Sequence, residues 1–106
     1  MKVLNYGSLN VDYVYSVDHI IVGGETQHSS KLEVFSGGKG LNQSIALAKA
    51  GVPVYHAGIV GTDGDILLEA CKEAGVNTKY IRRLPVKGGH TMIQVDKNAQ
   101  NCIILY

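Results

Sequence analysis

The sequence predicts an α/β fold that combines a mainly parallel β-sheet with a second, smaller β-sheet. Two observations lead to this prediction. Short apolar runs typical of buried strands alternate with two segments of helical periodicity, and other stretches alternate apolar and polar residues as exposed strand pairs do. Because strands that alternate with helices are joined by crossovers, they favour a parallel sheet. The predicted element order is β, ββ, α, β, α, β, ββ.

The first third of the chain is predicted to contain three strands. "KVLNY" (2–6) is short and apolar and is followed by a Gly-Ser pair, as expected of a buried strand. "VDYVYSV" (11–17) and "SSKLEVF" (30–36) alternate in the manner of half-buried strands, and the Gly-Gly pair of "IIVGGE" (20–25) indicates a turn between them. These last two strands therefore form a β excursion outside the core.

The middle of the chain is predicted to form two helices. Residues 41–50 switch to helical spacing and place Ile45 and Ala48 on one face, together with small residues that suit close approach to a sheet. Residues 62–76 give the clearest helical pattern in the chain, with Asp63 as a candidate N-cap. Both helices are expected to pack on the parallel sheet.

Four further strands are predicted around and after these helices. "VPVYHAGIV" (52–60) and "KYIRRL" (79–84) are buried strands, and "HTMIQV" and "NCIILY" flank the polar turn "DKNAQ" as a hairpin. The sequence stops inside an apolar run. Because an exposed apolar strand invites aggregation, we expect these residues to be part of a longer, truncated chain.

The composition is that of a globular protein and excludes a disordered chain, since 45% of the 106 residues are apolar and 18% are charged. The net charge is +1 and no basic stripe carries aromatic residues, so no nucleic-acid partner is expected. No apolar run reaches membrane length, so no membrane partner is expected. Cys71 and Cys102 lie far apart in apolar patterns, which predicts reduced core thiols and a cytoplasmic location.

The segment "FSGGKGLNQ" (35–43) places Lys39 between two glycines at a predicted helix start. It is not a P-loop, because Glu33 stands where that motif needs glycine, and it is not a dinucleotide fingerprint, because Gln43 replaces the last glycine. One alternative is a cradle in which glycine backbone, unpaired helix N–H groups, Lys39 and Asn42 hold a polar ligand. The other is a tight turn with solvated side chains, and spacing alone leaves both open.

A second polar group follows the first predicted strand. In "GSLNVD" (7–12), Asn10 and Asp12 lie near the carboxyl end of that strand, where ligands bind in open α/β sheets. Alternation puts both side chains on the same side of the chain, away from Val11. A carboxylate can accept hydrogen bonds from two neighbouring hydroxyls, and an amide can complement both, so this pair indicates a polyol ligand. For Asp12 alone, a solvated strand start is the alternative.

Five segments, taken in order, resemble the ribokinase family of sugar kinases: "GSLNVD", "GGETQ", "SGGKGLNQSIALAKAG", "VGTDGDILLEACKEAGVNTKYI" and "IQVDKNAQN". The resemblance runs from about residue 3 to the end of the chain, and "GGKGLNQ" is its most specific part. It implies a ribokinase-like fold, with Rossmann-like α/β/α layers, a mainly parallel sheet and a small β-sheet lid. The chain would be the N-terminal part of one such domain, with lid strands at about 11–36 and 89–106 inserted into an α/β core of residues 2–10 and 37–88.

The resemblance also implies a sugar site and a homodimer formed through the lid. The residues that would bind or shape the site around a sugar are Asn10, Asp12, Gly37, Gly38, Lys39 and Asn42. Lys39 and Gln43 favour ribose over the substrates of fructokinase-like or nucleoside kinase relatives. The segment "GGHTM" (88–92) departs from the small-residue pattern expected on that lid strand, and it leaves open whether His90 contacts the ligand or is an ordinary strand histidine.

The implied reaction of a full-length parent is ATP-dependent phosphorylation of D-ribose to ribose 5-phosphate, with Mg²⁺ and a monovalent cation as further candidate cofactors. The catalytic base, anion hole and ATP site of the family belong to a second signature that this sequence lacks. We therefore expect no catalytic, cofactor-binding or metal-binding residue here and no activity of the chain alone. Asp63 and Asp65 are interpreted as structural, as a helix cap and part of an outward face.

Two alternatives remain at the level of sequence. One is another kinase of the same fold, acting on fructose, 2-keto-3-deoxygluconate or a nucleoside. The other is a non-catalytic binding or dimerisation module built on the β excursion. The clustering of amide, carboxylate and ammonium groups favours a ligand site over a purely structural module, because such a module has no need of that cluster.

Overall fold

The computed structural model describes all residues from 1 to 106 and contains seven strands and two helices. In chain order these are β1 (Val3–Tyr6), β2 (Asn10–Ser16), β3 (Lys31–Gly37), α1 (Lys39–Lys49), β4 (Val54–Val60), α2 (Asp65–Ala74), β5 (Asn77–Arg83), β6 (His90–Val95) and β7 (Asn101–Leu105). All the predicted strands and helices are present. The chain divides into two compact units, residues 1–11 with 36–89 and residues 12–35 with 90–106.

The first unit is built on a three-stranded parallel sheet in the order β1-β4-β5. Helices α1 and α2 pack on this sheet, and the core between them is almost fully shielded from solvent. Its most buried apolar side chains are Leu41, Val54, Val60, Leu67 and Cys71. Each such burial contributes about 1.5–3 kcal/mol of hydrophobic stabilisation, so this core holds the strands and helices that carry the polar segments described below.

Helix α1 is buried mainly through its first turns. Gly40, Leu41 and Ser44 are the buried residues of the helix, whereas Ile45 and Ala48, predicted to lead the buried face, are half-buried. At the start of the helix, Gly40 packs directly against the backbone of Gly7 and Ser8, with no room for a side chain between them. The most deeply packed part of α1 is therefore its N-terminal end.

Helix α2 follows its predicted pattern with one correction. Leu67 and Cys71 are buried, and Gly75 ends the helix in a left-handed conformation. The residue that caps the N-terminus is Gly64, without a side-chain cap, so the assignment of Asp63 as N-cap is wrong. The carboxylate of Asp63 is used elsewhere, as described below.

The other face of the three-stranded sheet is open to solvent. Leu4 and Tyr6 on β1 are 63% and 83% exposed, and Ile59 on β4 and Tyr80 on β5 are 54% and 50% exposed. The pairing of Tyr6 with Ala57, and of Ala57 with Tyr80, puts these residues on one side of the sheet. We call this surface the open face. Parallel sheets are ordinarily covered on both faces, so the open face is an unusual feature.

The second unit contains most of a four-stranded sheet in the order β3-β2-β6-β7. Strands β6 and β7 form the predicted antiparallel hairpin, in which Ile93 faces Ile103. Every residue of β7 is exposed, including Cys102, so the expectation that both cysteines are core thiols is wrong for this one. Neither helix of the chain is long and apolar enough to cross a membrane.

Candidate functional site

The glycine-lysine segment packs its backbone directly against the segment that follows β1. Gly38 has a φ of 102°, and a Cβ added there would lie 2.6 Å from the carbonyl oxygen of Ser8 and 3.3 Å from the amide nitrogen of Asn10. A Cβ added at Gly40 would lie 2.5 Å from the carbonyl carbon of Gly7. No side chain fits at either position without moving backbone. We call the paired segments 7–10 and 38–42 the glycine junction.

Ser8 accepts hydrogen bonds from two backbone amides at the start of α1. Its carbonyl oxygen accepts from the amide of Leu41 at 3.0 Å, and its hydroxyl oxygen accepts from the amide of Gly40 at 3.4 Å. In one of the two alternatives that the sequence left open, unpaired amides at this helix start are offered to a ligand. These two amides are not available to a ligand, because the chain itself supplies their acceptors.

Two polar side chains at the junction are free to bind a ligand. Lys39 and Asn42 lie in the first turn of α1, are exposed, and make no side-chain hydrogen bond within the chain. Asn10 is half-buried and adjoins Gly38, and Gly37 is buried at the end of β3. The structure therefore brings Asn10 next to the glycine turn and presents an ammonium group and an amide within the following helical turn.

A cavity of about 560 Å³ opens at the carboxyl ends of β1 and β4, in the first unit. Its wall is formed by three segments, at residues 6–10, 58–61 and 86–89. Among the predicted site residues Asn10 lines this cavity, whereas Lys39 and Asn42 do not. The cavity is of the size that small-molecule sites have, and its position matches the edge where open α/β sheets bind ligands.

A buried polar network lies beneath the glycine junction. Asn5 donates to the hydroxyl oxygen of Ser44 at 2.9 Å and to the carbonyl oxygen of Gly40 at 2.9 Å. The Ser44 hydroxyl oxygen lies 2.7 Å from Nδ1 of His56, whose Nε2 lies 3.0 Å from the carbonyl oxygen of Gly7. One assignment satisfies every group: Ser44 donates to Nδ1, and Nε2–H donates to Gly7. We call this set the buried network.

The buried network links three elements of the fold to both segments of the junction. Asn5 comes from β1, Ser44 from α1 and His56 from β4, and the two carbonyls belong to the two paired segments. Both Ser44 and His56 are fully buried. Buried hydrogen-bonded groups fix one arrangement of their surroundings, because any displacement leaves a donor or acceptor without a partner. The network therefore holds Gly7 and Gly40 in register with each other.

Sequence reasoning did not identify the buried network. The available signal was the alternation of "VYHAGIV", in which His56 shares the inward positions with Val54 and Val60. A histidine at such a position must find hydrogen-bond partners inside the protein. The identity of those partners depends on Asn5 and Ser44, which are distant in sequence.

One loop of the cavity wall is held by Asp63. The amide of Gly88 donates to Oδ1 of Asp63 at 2.9 Å, and Nζ of Lys87 lies 3.5 Å from Oδ2. Burial favours the neutral acid, but the Gly88 and Asp63 backbone amides and the Lys87 ammonium outweigh it, so the pKa of Asp63 is lowered. The sequence interpretation of Asp63 as structural fits this role, although the group that it binds is a loop amide instead of a helix end.

In the second unit, Asp12 is engaged by a neighbouring strand. The hydroxyl of Thr91 on β6 donates to Oδ1 of Asp12 on β2 at 2.7 Å. His90 lies between aromatic rings, with centroid distances of 5.1 Å to Tyr106 and 6.0 Å to Tyr13. The structure therefore gives His90 an aromatic packing role, and it singles out Thr91, which the sequence analysis did not consider.

A second group of charged side chains lies on the surface of the second unit. Nδ1 of His19 is 3.1 Å from Oδ2 of Asp18 and Nε2 is 2.9 Å from Oε1 of Glu25, while Nζ of Lys97 is 3.5 Å from Asp18. Hydrogen bonds that His19 donates to Glu25 and, to a smaller extent, to Asp18 raise the pKa of His19. We call these four residues the exposed cluster. The chain has no group of three or more His, Cys, Asp or Glu side chains arranged to hold a metal ion.

Comparisons with known proteins agree on a single family. A family model described as pfkB family carbohydrate kinase matches residues 1–106. Ribokinase of Staphylococcus aureus (strain COL) is 38% identical over 99% of this chain, and the chain covers 36% of that relative. The chain thus spans about a third of the length of the curated relatives that it matches.

Solved structures give the same result for the fold. A ribokinase from Cryptococcus neoformans var. grubii serotype A in complex with ADP superposes with a TM-score of 0.90 at 36% identity. That match covers 99% of this chain and 34% of the other. The Arabidopsis thaliana ribokinase complexed with ribose and ATP gives a TM-score of 0.87 at 31% identity, covering 99% of this chain and 35% of the other. The predicted ribokinase-like α/β fold is therefore confirmed.

Proposed function

The chain belongs to the pfkB family of carbohydrate kinases, and from this premise we propose that the protein carrying it phosphorylates D-ribose with ATP to give ribose 5-phosphate. The observation that carries the proposal is the glycine junction. There the backbone of Gly38 lies against Asn10, and the side chains of Lys39 and Asn42 have no hydrogen-bond partner within the chain. Exposed, uncommitted polar groups beside a rigid turn are suited to a hydroxyl-rich ligand.

Six residues form the proposed sugar site. They are Asn10, Asp12, Gly37, Gly38, Lys39 and Asn42. A sugar hydroxyl both donates and accepts, so it needs partners of both kinds. Asp12 accepts, Lys39 donates, and the two amides do both. The glycines contribute by shape, because any side chain at Gly38 would displace the backbone that carries Asn10.

We propose that the remaining chemistry lies outside these 106 residues. A phosphoryl transfer needs a base for the attacking hydroxyl, donors for the developing charge, and a nucleotide with its metal ion. ATP, Mg²⁺ and a monovalent cation would be held by the rest of the protein, and the chain alone would be inactive. Its contribution is to bind and orient the sugar, with residues 2–10 and 37–88 as core and strands at about 11–36 and 89–106 as lid.

The direct test is ribose-dependent release of ADP, measured in a coupled assay. We expect turnover by the full-length gene product and none by the 106-residue chain. Turnover by the short chain would contradict the proposed division of labour. A panel of ribose, fructose, 2-keto-3-deoxygluconate and adenosine tests the substrate, because a preference for another member of the panel would replace ribose within the same family.

The sugar site is tested by substitution in the full-length gene product. Lys39→Met removes an ammonium group that donates to the sugar, and Asp12→Asn removes a charged acceptor. Each is expected to raise KM for ribose by about tenfold or more, the effect of losing one charge-assisted hydrogen bond. Lys49→Met is the matched control, because Lys49 is an exposed lysine in the last turn of the same helix. Equal effects of both lysine changes would contradict the assignment.

The proposed partner besides the sugar is a second copy of the protein, bound through the lid strands. The support is the exposure of apolar residues on β7, where Ile103, Ile104 and Leu105 are 54%, 65% and 66% exposed. Sedimentation equilibrium should give a dimer, and Ile104→Lys should weaken it. A monomer at micromolar concentration would contradict this part of the proposal.

We also propose a cytoplasmic location. Both cysteines are free, and Cys102 is exposed on β7. An exposed thiol is most readily kept reduced in a cytosolic environment. Fractionation of cells that produce the tagged full-length protein tests this, and recovery from a secreted fraction would contradict it.

A further inference from the structure

One oxygen of the Asp12 carboxylate is hydrogen-bonded within the chain, and the other is not. Oδ1 accepts from the Thr91 hydroxyl at 2.7 Å, the ordinary length of an O–H···O hydrogen bond. Oδ2 makes no hydrogen bond within the chain. Each carboxylate oxygen has two acceptor positions, so the bond to Thr91 leaves three for a ligand. The hydroxyl of Thr91 thus engages the carboxylate without filling it.

Thr91 is well suited to hold that carboxylate in one orientation. The terminal torsion of an aspartate side chain is broad, so a carboxylate without a fixed partner rotates easily. Threonine is β-branched and stiff about its first torsion, and Thr91 is only 8% exposed on β6, beside β2 in the sheet. The donor is therefore fixed by packing, and its hydrogen bond selects one rotation of the acceptor.

We propose that Thr91 is a positioning residue, which orients Asp12 so that the carboxylate receives two neighbouring hydroxyls of one sugar. This inference rests on the proposed function, since it assumes that Asp12 binds the sugar. Thr91 itself need not touch the sugar. Its effect is to spare the ligand the cost of ordering the carboxylate, which is how preorganisation increases affinity.

The inference specifies the chemistry of the ligand. In a ribofuranose with its C5 hydroxyl at the reaction centre, the ring hydroxyls lie at C1, C2 and C3. Every neighbouring pair among them includes the one at C2. 2-Deoxyribose therefore offers no such pair. A correctly oriented carboxylate should favour ribose over 2-deoxyribose, and a freely rotating one should lose much of that preference.

The experiment compares KM and kcat for ribose and 2-deoxyribose in the full-length gene product carrying Thr91→Val or Thr91→Ser. Valine keeps the shape and removes the hydroxyl, whereas serine keeps the hydroxyl. We expect Thr91→Val to raise KM for ribose by about tenfold, the typical effect of losing one hydrogen bond to a charged group. The change for 2-deoxyribose should be about twofold or less, with kcat little altered for either sugar.

Two controls separate positioning from a general structural effect. Thr91→Ser should restore the preference for ribose. Thr26→Val, an exposed threonine of the same unit, should leave both sugars unchanged. Equal losses on the two sugars, failure of serine to restore the preference, or a Thr91→Val protein with the original preference would each overturn the inference. A wild-type protein that turns over neither sugar would overturn the proposed function, and with it this inference.

Discussion

The buried network and the exposed cluster are both built around a histidine that contacts a polar group through each ring nitrogen. In the buried network, His56 is fully buried between Ser44 and the carbonyl of Gly7. In the exposed cluster, the side chain of His19 is 50% exposed between Asp18 and Glu25. The chemistry of the contacts is similar, and the surroundings differ.

This difference teaches that the surroundings of a polar contact decide what it contributes. Inside the protein, a donor or acceptor that loses its partner has no water to replace it, so each contact of the buried network specifies the structure. At the surface, water and salt compete for the same groups, and exposed ion pairs contribute little. The buried network should therefore control stability, and the exposed cluster should mainly respond to pH.

The largest expected effect is that of His56→Ala. This change removes a fully buried ring and leaves Ser44 and the Gly7 carbonyl without their partner. We expect a loss of about 3 kcal/mol or more in the free energy of unfolding, measured by urea denaturation. His28→Ala is the matched control, because His28 is exposed, and it should change stability by no more than about 0.5 kcal/mol. Equal losses at the two histidines would remove the basis of the comparison.

A sharper test of the comparison removes one hydroxyl from the buried network and one from an exposed position elsewhere in the chain. Ser44→Ala breaks the buried bridge between Asn5 and His56, and should cost about 1–3 kcal/mol of unfolding free energy. Ser29→Ala also removes a hydroxyl that donates to backbone carbonyls, but at an exposed position, and should cost no more than about 0.5 kcal/mol. Urea denaturation of both variants is the measurement, and a larger loss at Ser29 would reverse the conclusion.

The contribution of Asp63 to stability should lie between those of the buried network and the exposed cluster. It should appear as a dependence of the unfolding free energy on pH. Its pKa is lowered from 3.8, despite burial, by the Gly88 and Asp63 amides and the Lys87 ammonium. The stabilisation is therefore fully present above 3.8 and is lost as pH falls through the lower folded value. Asp63→Asn should flatten the acid side of a plot of unfolding free energy against pH. An unchanged acid side would show that the contacts of Asp63 do not contribute to folding.

The smallest effect on stability is expected in the exposed cluster. The pKa of His19 is raised above 6.5 by Glu25 first and Asp18 second, so its small contribution is present below 6.5 and is lost as pH rises through the higher folded value. Glu25→Gln should lower the pKa of His19 in an NMR titration and leave the thermal midpoint unchanged. Glu69→Gln, an exposed glutamate on α2, should leave the titration of His19 as it is. A lowered midpoint for Glu25→Gln alone would contradict the view that this cluster only responds to pH.

The elements of the fold could be predicted because the evidence for them is local. The strand "HTMIQV" before the polar turn and the helical pattern of residues 62–76 can be read within short stretches of sequence, and the structure has both. The details at helix starts could not be predicted in the same way. Asp63 has the sequence position of a cap, but its actual partner, Gly88, comes from a distant loop.

For the candidate site, the sequence suggested residues that stay a prediction, and it did not show the contacts that hold them in place. The sequence draws attention to Asn10, Lys39 and Asn42, because polar side chains close to glycines require a structural or functional explanation. The structural role of the glycines could not be read from the sequence. Gly38 and Gly40 make room for the backbone of residues 7–10. Thr91 and His56 were missed because each acts through a partner that is distant in sequence. Long-range pairs of this kind leave no periodic signal in a single sequence.

The open face has a consequence for how these 106 residues behave at high concentration in salt. The folded chain exposes four apolar or aromatic side chains to solvent on this face, those of Leu4, Tyr6, Ile59 and Tyr80. Sulfate and similar kosmotropic ions strengthen the association of such surfaces without unfolding anything. The native chain should therefore be strongly retained on a phenyl column in ammonium sulfate and should salt out early, as a property of its well-formed sheet.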